Sequence, residues 1–332
     1  MSQASEHSPL NPPFRPGTFL YLQQEDVKRC GGLDMPATMV AVEKAFSLYD
    51  RGLVQEYHAR PIHWGNRAGR RVALHPSYIG GDVEVVGIKW IPSNPENPAT
   101  LRLPRSNALI IVTDPQTGYP LGVVEGKIIS DMRTGAVAGL GARYLARPGA
   151  RRVGLIGGGP INRTHLMALH HVLPGLEEVK IYDIVRANAE RYVLDMCRRL
   201  NVSASLFRVV ESAEAAVRDS DVVATATNVN AQQSYLPSGW LSRGALLINT
   251  SVNDPTMDVV EKADLVVVDS RHQFASEGTR LVEAIRAGLF NPADAVELGA
   301  IINGKHPGRR SPHETILFCP LGMGMNDLIN AK

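Results

Sequence analysis

A glycine-rich turn in the middle of the chain has the residue types that a dinucleotide pyrophosphate requires. The apolar run RRVGLIG ends at Gly157, Gly158 and Gly159 follow it, and an amphipathic segment begins at Pro160. Glycine allows a tight turn and close approach to a phosphate, and the free N–H groups at a helix N-terminus face the anion. The third fingerprint position is Asn162 instead of Gly or Ala. We predict cofactor contacts along this turn, at Gly157, Gly159, Pro160, Ile161 and Asn162.

An acidic residue downstream of the turn indicates which dinucleotide binds. A second strand candidate, EVKIYD, ends at Asp183, which is 24 residues after Gly159. A carboxylate at this distance accepts a hydrogen bond from the ribose 2′-hydroxyl and repels a 2′-phosphate. The sequence therefore predicts NAD rather than NADP, although Arg186 lies close enough to weaken the preference.

The elements around this turn alternate between strand and helix. Amphipathic segments follow the first two strand candidates, and later strand candidates are LFRVVES, DVVATATN, GALLINTS and DLVVVDS. This alternation predicts an α/β protein whose doubly wound Rossmann domain has a parallel sheet with helices on both faces. We assign residues 131–305 to this NAD-binding domain.

The first part of the chain has a different pattern and supplies candidate anion-binding groups. Residues 1–130 contain an amphipathic helix candidate and, around the turn DPQTG, apolar runs that predict antiparallel strands in an α+β arrangement. We assign them to a first unit, with 1–17 as a mobile leader. Lys89 in an apolar strand and Arg133 in a small-residue helix are isolated cations that a substrate carboxylate could neutralise.

Composition narrows the remaining possibilities. The formal net charge is +2, from 35 basic and 33 acidic residues, which argues against a strongly basic nucleic-acid clamp. No apolar run reaches the roughly 18 residues needed to span a bilayer, and no secretory signal is visible. Cys30, Cys197 and Cys319 lack metal-ligand spacing. We therefore expect a cytoplasmic protein that binds neither nucleic acid nor membrane and has no metal.

An ordered set of sequence blocks resembles the ornithine cyclodeaminase/mu-crystallin family. Between Phe19 and Asn330 the blocks are GIKW, DPQTGYPLGVVEG, DMRTGAVAGLGARYLA, VGLIGGGPIN, ATATN, DLVVVD and GMGMNDLINA. Three segments are most similar to the family branch that forms 2,3-diaminopropionate: LYLQQEDVKRCGG, PSYIGGDVEVVGIKWIPSNPENP and INTSVNDPTMDVVEKADLVVVD. Cyclodeaminases have a longer Gly-Asp-x-Pro-Gly-Lys-Thr-Glu type segment where this chain has NDPTMD, so the resemblance disfavours simple ornithine cyclisation.

The resemblance implies roles for individual residues. Lys89 and Arg133 match the family's ligands of the substrate carboxylate, and Arg60 matches a third ligand. Asp254 matches the catalytic acid/base, and we count Lys89 as a second catalytic group. Further cofactor contacts are implied at Thr134, Thr227 and Asn228.

Two other residues lie beside these motifs. His75 stands where this branch is expected to have methionine, and we favour space filling over substrate contact because an isolated histidine is weak support for a function. Cys319 lies near the terminal glycines without an obvious paired histidine, so we do not expect a nucleophile.

The resemblance also implies a homodimeric enzyme that uses NAD and an amino-acid-derived substrate. In the family, the unit corresponding to residues 1–130 binds the substrate and forms the dimer, and the segment corresponding to 306–332 completes it. The expected reaction is oxidative cleavage of N-(2-amino-2-carboxyethyl)-L-glutamate in siderophore or antibiotic biosynthesis. Hydride transfer gives an imine, and hydrolysis releases 2,3-diaminopropionate and 2-oxoglutarate. Two alternatives stay open: an ornithine or lysine cyclodeaminase or ketimine reductase, and a non-catalytic crystallin-like binding protein.

Overall fold

Two β-sheets of different topology form the protein. The computed structural model describes residues 19–57, 61–65, 69–275 and 278–332. One sheet is mixed and belongs to the first part of the chain, and the other is parallel and contains the strands on either side of the glycine-rich turn. The predicted combination of an α+β unit with a doubly wound α/β unit is confirmed.

The mixed sheet is built from the first strands of the chain. The elements of this unit are β1 (Leu20–Leu22), α1 (Gln24–Arg29), α2 (Met35–Asp50), β2 (Val54–Glu56), β3 (Ile62–His63), β4 (Arg71–Ile79), β5 (Val85–Ser93), α3 (Asn97–Thr100), β6 (Leu109–Thr113), β7 (Pro120–Glu125) and α4 (Lys127–Leu145). The sheet order is β1-β7-β6-β5-β4-β2, and β3 pairs with β4. The hairpin predicted at DPQTG joins the antiparallel strands β6 and β7.

Alternation along these strands separates a helix-covered face from an outer face. Lys89 pairs with His75 in β4 and with Ile110 in β6, so the three side chains leave the sheet on the same face. Lys89 and Ile110 are both buried on that face. Trp90 and Ile111 point to the opposite face and are 42% and 37% exposed. The register therefore directs Lys89 into the protein and leaves apolar side chains on the outer face.

The parallel sheet has the topology of a dinucleotide-binding fold. Its elements are β8 (Arg152–Ile156), α5 (Pro160–Val172), β9 (Glu178–Tyr182), α6 (Arg186–Leu200), β10 (Phe207–Val209), α7 (Ala213–Val217), β11 (Val222–Thr225), β12 (Leu246–Asn249), α8 (Met257–Lys262), β13 (Leu265–Val268), α9 (Arg280–Arg286), β14 (Val296–Glu297), α10 (Leu298–Ile302) and β15 (Ile316–Cys319). The order is β10-β9-β8-β11-β12-β15-β13-β14. The order reverses between β8 and β11, and in such sheets the crevice at this point binds the ligand.

The end of the chain divides between the two units. Residues 306–332 were predicted to complete the first unit, but β15 inserts between β12 and β13 of the parallel sheet. Its residues are buried throughout, as expected for an interior parallel strand with both faces covered. The chain then returns to the first unit as α11 (Gly324–Ala331), which packs against α2, α4, β4 and β5. The boundary predicted at 130/131 falls inside α4.

Small residues in α4 allow the two units to pack closely. α4 contacts α2 in the first unit and α5 in the second. Gly135 faces Thr164 of α5, and a Cβ on Gly135 would lie 2.5 Å from the Thr164 carbonyl carbon. The close approach of the two helices therefore depends on glycine at this position, since a larger residue would push the backbones apart.

Three further properties concern the described part of the chain. None of its helices combines the length and apolar character needed to cross a membrane. Its histidine, cysteine and acidic side chains form no group of three that could hold a metal ion. Cys30, Cys197 and Cys319 are free thiols.

We predict that Gly135→Ala destabilises the protein although alanine has the higher helix propensity. Overpacking against Thr164 costs about 1–3 kcal/mol, and the helix-propensity gain of about 1 kcal/mol offsets only part of it. Gly239→Ala is the matched control, because a Cβ there has no neighbour within 4 Å. Denaturant unfolding of both variants measures the effect, and equal stability would show that α4 and α5 do not require glycine.

Candidate active site

The glycine-rich turn follows β8 and leads directly into α5. Gly157 has a φ of +101°, a conformation that favours glycine, and a Cβ there would lie 2.5 Å from the carbonyl oxygen of Ala226. Gly159 is the N-cap of α5 and Pro160 its first residue. Nothing lies within 4 Å of the position that a Gly159 Cβ would take. Open space at the N-terminus of a 13-residue helix fits a pyrophosphate group.

The hydrogen bonds of the Asn162 side chain explain why asparagine occupies a fingerprint position that usually has Gly or Ala. Its buried side chain turns inward, and Nδ2 donates hydrogen bonds to the carbonyl oxygens of Ile156 and Gly157 at 2.9 and 2.7 Å. Its Oδ1 lies 2.9 Å from Nδ1 of His165, whose pKa burial lowers to about 3. The Asn162 side chain therefore fixes the turn. Ile161 and Asn162 keep backbone N–H groups in the first turn of α5, where helical N–H groups have no intrahelical acceptor.

Asp183 ends the second strand beside this turn. Its Oδ2 accepts a hydrogen bond from the Gly158 N–H at 2.8 Å. The carboxylate is therefore held at the place where an adenosine ribose lies in this fold. Arg186 is exposed and pairs with Glu190 and Glu211 rather than with Asp183. This arrangement favours NAD over NADP.

Asp254 lies in the loop after β12 and is fully buried. Its Oδ1 accepts hydrogen bonds from the Thr227 hydroxyl at 2.6 Å and the Tyr235 hydroxyl at 2.7 Å, and its Oδ2 accepts one from Ser251. Val252 in the same loop has a φ of +63°, which is rare for a β-branched residue. Strained backbone of this kind persists where the surrounding structure enforces it, often at functional sites.

Three residues that were predicted to contact the cofactor form side-chain hydrogen bonds to other residues of the protein. The Thr134 hydroxyl donates to the Ser130 carbonyl oxygen at 2.7 Å, and the Thr227 hydroxyl donates to Asp254. The side chain of Asn228 accepts a hydrogen bond from Arg105 of the first unit. Thr227 and Asn228 follow β11 at the reversal of strand order, so the loop lies at the expected crevice.

Lys89 and Arg133, the predicted ligands of a substrate carboxylate, meet at one internal carboxylate. Asp327 of α11 is fully buried, with Lys89 Nζ 2.6 Å from its Oδ2 and Arg133 Nε 3.2 Å from its Oδ1. Burial raises the pKa of Asp327, but the two cations outweigh it and hold the pKa below its usual range. Burial, supported by the charge of Arg133, lowers the pKa of Lys89 to about 8. Asp327 is therefore the hydrogen-bonded counter-ion of both cations, while the charge of Glu56 also acts on Lys89 and that of Asp269 on Arg133.

Two more carboxylates hold the segment that leads into α11. Glu56 of β2 accepts hydrogen bonds from the backbone N–H groups of Gly324 and Met325, and burial raises its pKa to about 7. Asp269 follows β13 and accepts from the Gly322 N–H at 2.6 Å, and burial raises its pKa to about 6. The return of the chain to the first unit is thus fixed from both units.

The other predicted residues take different positions. His75 lies across the strand pair from Lys89, near enough to Asp327 that a charge on its ring would lower the pKa of that carboxyl. Cys319 is buried, and burial raises the pKa of its thiol to about 12. A thiol with such a pKa is a poor nucleophile. Arg60 lies outside the described residues.

Sequence reasoning missed Asp327, Glu56 and Asp269. Asp327 was present in the block GMGMNDLINA, and two buried cations require a nearby anion. Asp269 could have been found as the acid that ends the strand DLVVVDS. Glu56 had no local signal, because its partners are the distant backbone N–H groups of α11.

Comparison with known proteins agrees with the sequence blocks and the geometry. The model of the ornithine cyclodeaminase/mu-crystallin family matches residues 20–332. The chain belongs to this family. N-((2S)-2-amino-2-carboxyethyl)-L-glutamate dehydrogenase of Staphylococcus aureus is 33% identical over 317 residues, covering 94% of this chain and 93% of the relative.

Solved structures of similar fold contain the cofactor. Δ1-pyrroline-2-carboxylate reductase of Thermococcus litoralis, in complex with NADH and L-proline, has a TM-score of 0.85 and 29% identity, with 94% of this chain and 95% of that chain covered. An archaeal alanine dehydrogenase dimer with bound NAD has a TM-score of 0.82 and 29% identity, with coverages of 94% and 93%. The protein is an NAD-dependent oxidoreductase, a dehydrogenase or reductase of this family, and its glycine-rich turn fits NAD.

We predict that Asp327→Asn destabilises the protein by about 3–5 kcal/mol, because loss of one partner leaves buried charge uncompensated. Denaturant unfolding measures this loss. Asp82→Asn removes the exposed partner of Lys44 and should have a much smaller effect, because solvent screens surface ion pairs. Equal effects of the two substitutions would contradict the role of Asp327 as the central counter-ion.

We predict that Asp183→Ala weakens NAD binding by roughly 10–100-fold, which corresponds to loss of charge-assisted hydrogen bonds. NADP binding should weaken less, because the variant no longer repels the 2′-phosphate. Kd values for both cofactors measure the preference, and Glu177→Ala on the exposed surface is the control. An unchanged ratio of the two Kd values would reject the ribose assignment.

Proposed function

We propose that the enzyme catalyses the NAD-dependent oxidative cleavage of N-(2-amino-2-carboxyethyl)-L-glutamate. The observation that carries this proposal is the pair of buried cations, Lys89 and Arg133, set in a family whose parallel sheet binds NAD. The substrate of this reaction has carboxylates that need fixed cations. The Staphylococcus aureus relative named for action on this compound is similar along 94% of the chain.

The proposed reaction balances with one water molecule. Bound NAD supplies the acceptor for the hydride that leaves the α-carbon of the glutamate portion. The nitrogen lone pair then forms an imine, and water adds to the imine carbon. Cleavage of the C–N bond releases 2-oxoglutarate and 2,3-diaminopropionate, together with NADH and one proton. We place this step in siderophore or antibiotic biosynthesis.

Lys89 and Arg133 are proposed to hold the carboxylate next to the reacting carbon. Their shared internal carboxylate, Asp327, fixes both side chains. An incoming substrate carboxylate is proposed to bind the two cations as a further anionic partner. Such preorganised cations position the substrate at little entropic cost.

Asp254 is proposed to be the acid/base group of this reaction. Asp254 is fully buried and is contacted by three half-buried hydroxyl residues. Of these, Thr227 is proposed to meet the substrate, because it follows β11 at the reversal of strand order. A proton leaving the substrate nitrogen passes to the Thr227 oxygen while the Thr227 proton moves to Asp254. Burial, together with the charge of Asp254, raises the pKa of Tyr235, so this second hydroxyl remains a donor.

Net NADH formation tests the proposed reaction. Purified enzyme with NAD and N-(2-amino-2-carboxyethyl)-L-glutamate should accumulate NADH and 2-oxoglutarate in equal amounts. With ornithine or lysine it should form neither proline nor pipecolate. Absence of NADH and 2-oxoglutarate, while NAD binds normally, would contradict the proposed substrate.

Reduction of a cyclic imine is the second candidate function. The solved Δ1-pyrroline-2-carboxylate reductase with NADH and L-proline has a TM-score of 0.85 against this chain. In this case the enzyme would consume NADH with Δ1-pyrroline-2-carboxylate and form proline. The enzyme should be assayed with each substrate in turn. The reductase function would be favoured if NADH is consumed faster with Δ1-pyrroline-2-carboxylate than it is formed from N-(2-amino-2-carboxyethyl)-L-glutamate.

We predict that Asp254→Asn lowers kcat by about 10²–10⁴-fold, the usual contribution of general acid–base catalysis. The Kd for NAD should change less than about twofold, because Asp254 contacts hydroxyl groups rather than the glycine-rich turn. Steady-state kinetics and cofactor titration measure the two effects. Asp294→Asn on the exposed surface is the control, and wild-type kcat in Asp254→Asn would remove the acid/base role.

The outer face of the mixed sheet is proposed to be the homodimer interface. Tyr21, Trp90 and Ile111 on this face are 55%, 42% and 37% exposed. Tyr21 pairs with Val123, and Val123 pairs with Ile111, so the exposed side chains form a continuous row across β1, β7 and β6. An exposed apolar patch of this kind is typical of an interface. The archaeal alanine dehydrogenase with a similar fold was solved as a dimer.

We predict that Ile111→Lys converts the dimer to a monomer, because it places a charge in the apolar row. Sedimentation velocity measures the mass. Leu194→Lys is the matched control, since Leu194 is 64% exposed on α6 of the parallel-sheet unit. A monomeric wild type, or an Ile111→Lys variant that remains dimeric, would rule out this face.

A further inference from the structure

A third cation reaches the crevice from the first unit. Arg105 lies between α3 and β6, and its carbonyl oxygen accepts a hydrogen bond from the Asn94 N–H at 2.8 Å. Its half-buried side chain extends to the second unit, where Nη1 donates to the side chain of Asn228 in the loop after β11. The next residue along that loop toward β11, Thr227, binds Asp254. Arg105 therefore contacts the loop that holds the proposed acid/base group.

Arg105 differs from Lys89, Arg133 and Arg70 in the charged groups that surround it. Lys89 and Arg133 share Asp327, and Arg70 pairs with Glu96. Among the described residues, Arg105 has no carboxylate within 4 Å, and its charged neighbour is a second cation, Arg71 at the start of β4. Burial, supported by the charge of Arg71, lowers the pKa of Arg105.

A cavity adjoins the Arg105 side chain. Its volume is about 240 Å³, and Trp64, Asn94, Asn97 and Asn107 are among its lining residues. Amide groups and a guanidinium are donors that recognise carboxylate oxygens, and an arginine can bind both oxygens at once. The cavity therefore leaves space beside the Arg105 guanidinium, within a lining whose exposed surface is mostly apolar.

We propose that Arg105, supported by the charge of Arg71, binds a second carboxylate of the substrate and makes the enzyme selective for amino acids that have an additional acidic group. This inference rests on the proposed function, whose substrate has three carboxylates, of which Lys89 and Arg133 hold one. A cofactor phosphate has similar anion chemistry. The glycine-rich turn after β8 already provides a phosphate position, so the observations favour the substrate carboxylate.

Binding measurements test the proposal without requiring turnover. Calorimetry on the enzyme saturated with NADH compares 2-oxoglutarate with 2-oxobutyrate, which lacks the distal carboxylate. The wild type should bind 2-oxoglutarate roughly 10–100-fold more tightly, which is the effect of a charge-assisted hydrogen bond. Arg105→Gln should remove most of this preference, Arg105→Lys should keep part of it, and Arg71→Gln should reduce it. The NADH Kd should stay unchanged in all variants.

The control is Arg102→Gln, which changes an exposed arginine of the same loop and should leave the preference intact. Unchanged NADH binding in Arg105→Gln shows that the variant is folded. The proposal is overturned if the wild type does not prefer the dicarboxylate, or if Arg105→Gln weakens both oxoacids equally. It is also overturned if Arg105→Gln weakens NADH instead, since the cofactor phosphate would then be its anion.

Failure of the proposed function gives a different result. A wild type that prefers 2-oxoglutarate through Arg105 but forms no NADH from N-(2-amino-2-carboxyethyl)-L-glutamate would reject the proposed reaction and retain selectivity for dicarboxylates. A wild type that forms NADH from this substrate but whose Arg105→Gln variant keeps the preference would reject the inference alone.

Discussion

The buried carboxylate of Asp327 between two cations is the interaction on which the arrangement of the first unit depends. Lys89 comes from β5 and Arg133 from α4, and both lie in the interior, where an unpaired charge costs several kcal/mol. Asp327 is on α11, at the end of the chain. The chain must therefore leave the parallel sheet after β15 and return to the mixed sheet before the cationic site is complete. The ion pairs of Asp327 with Lys89 and Arg133 therefore both hold α11 on the first unit and position the candidate substrate ligands.

The two units meet through backbone groups as well as through charges. Glu56 in the first unit and Asp269 in the second accept hydrogen bonds from consecutive parts of the segment before and at the start of α11. Gly135 lets α4 pack closely on α5, so Arg133 and the start of α5 belong to adjoining helices. The cations from one unit and the dinucleotide fold of the other are held together by this packing, as hydride transfer between substrate and NAD requires.

The sequence predicts those parts of the site whose partners are fixed by local spacing. Gly157 and Asp183 follow neighbouring parallel strands, so motif spacing alone brings them to the same edge of the sheet. The role of the Asn162 side chain was not predictable, because its acceptors depend on the conformation of the turn. The return of the chain end to the first unit was predicted from the family resemblance, but no local periodicity specifies the long-range contact that makes Asp327 the partner of Lys89 and Arg133. β15 was missed because a short apolar run does not show which strands it separates.

A crystal structure of the enzyme with NADH and 2-oxoglutarate tests the central claim most directly. The account predicts one ligand carboxylate in contact with both Lys89 and Arg133, while Asp327 keeps its hydrogen bonds to them. The keto carbon of the ligand should face the nicotinamide. A ligand bound elsewhere, or cations that remain closed around Asp327 with no access for a second carboxylate, would contradict the account.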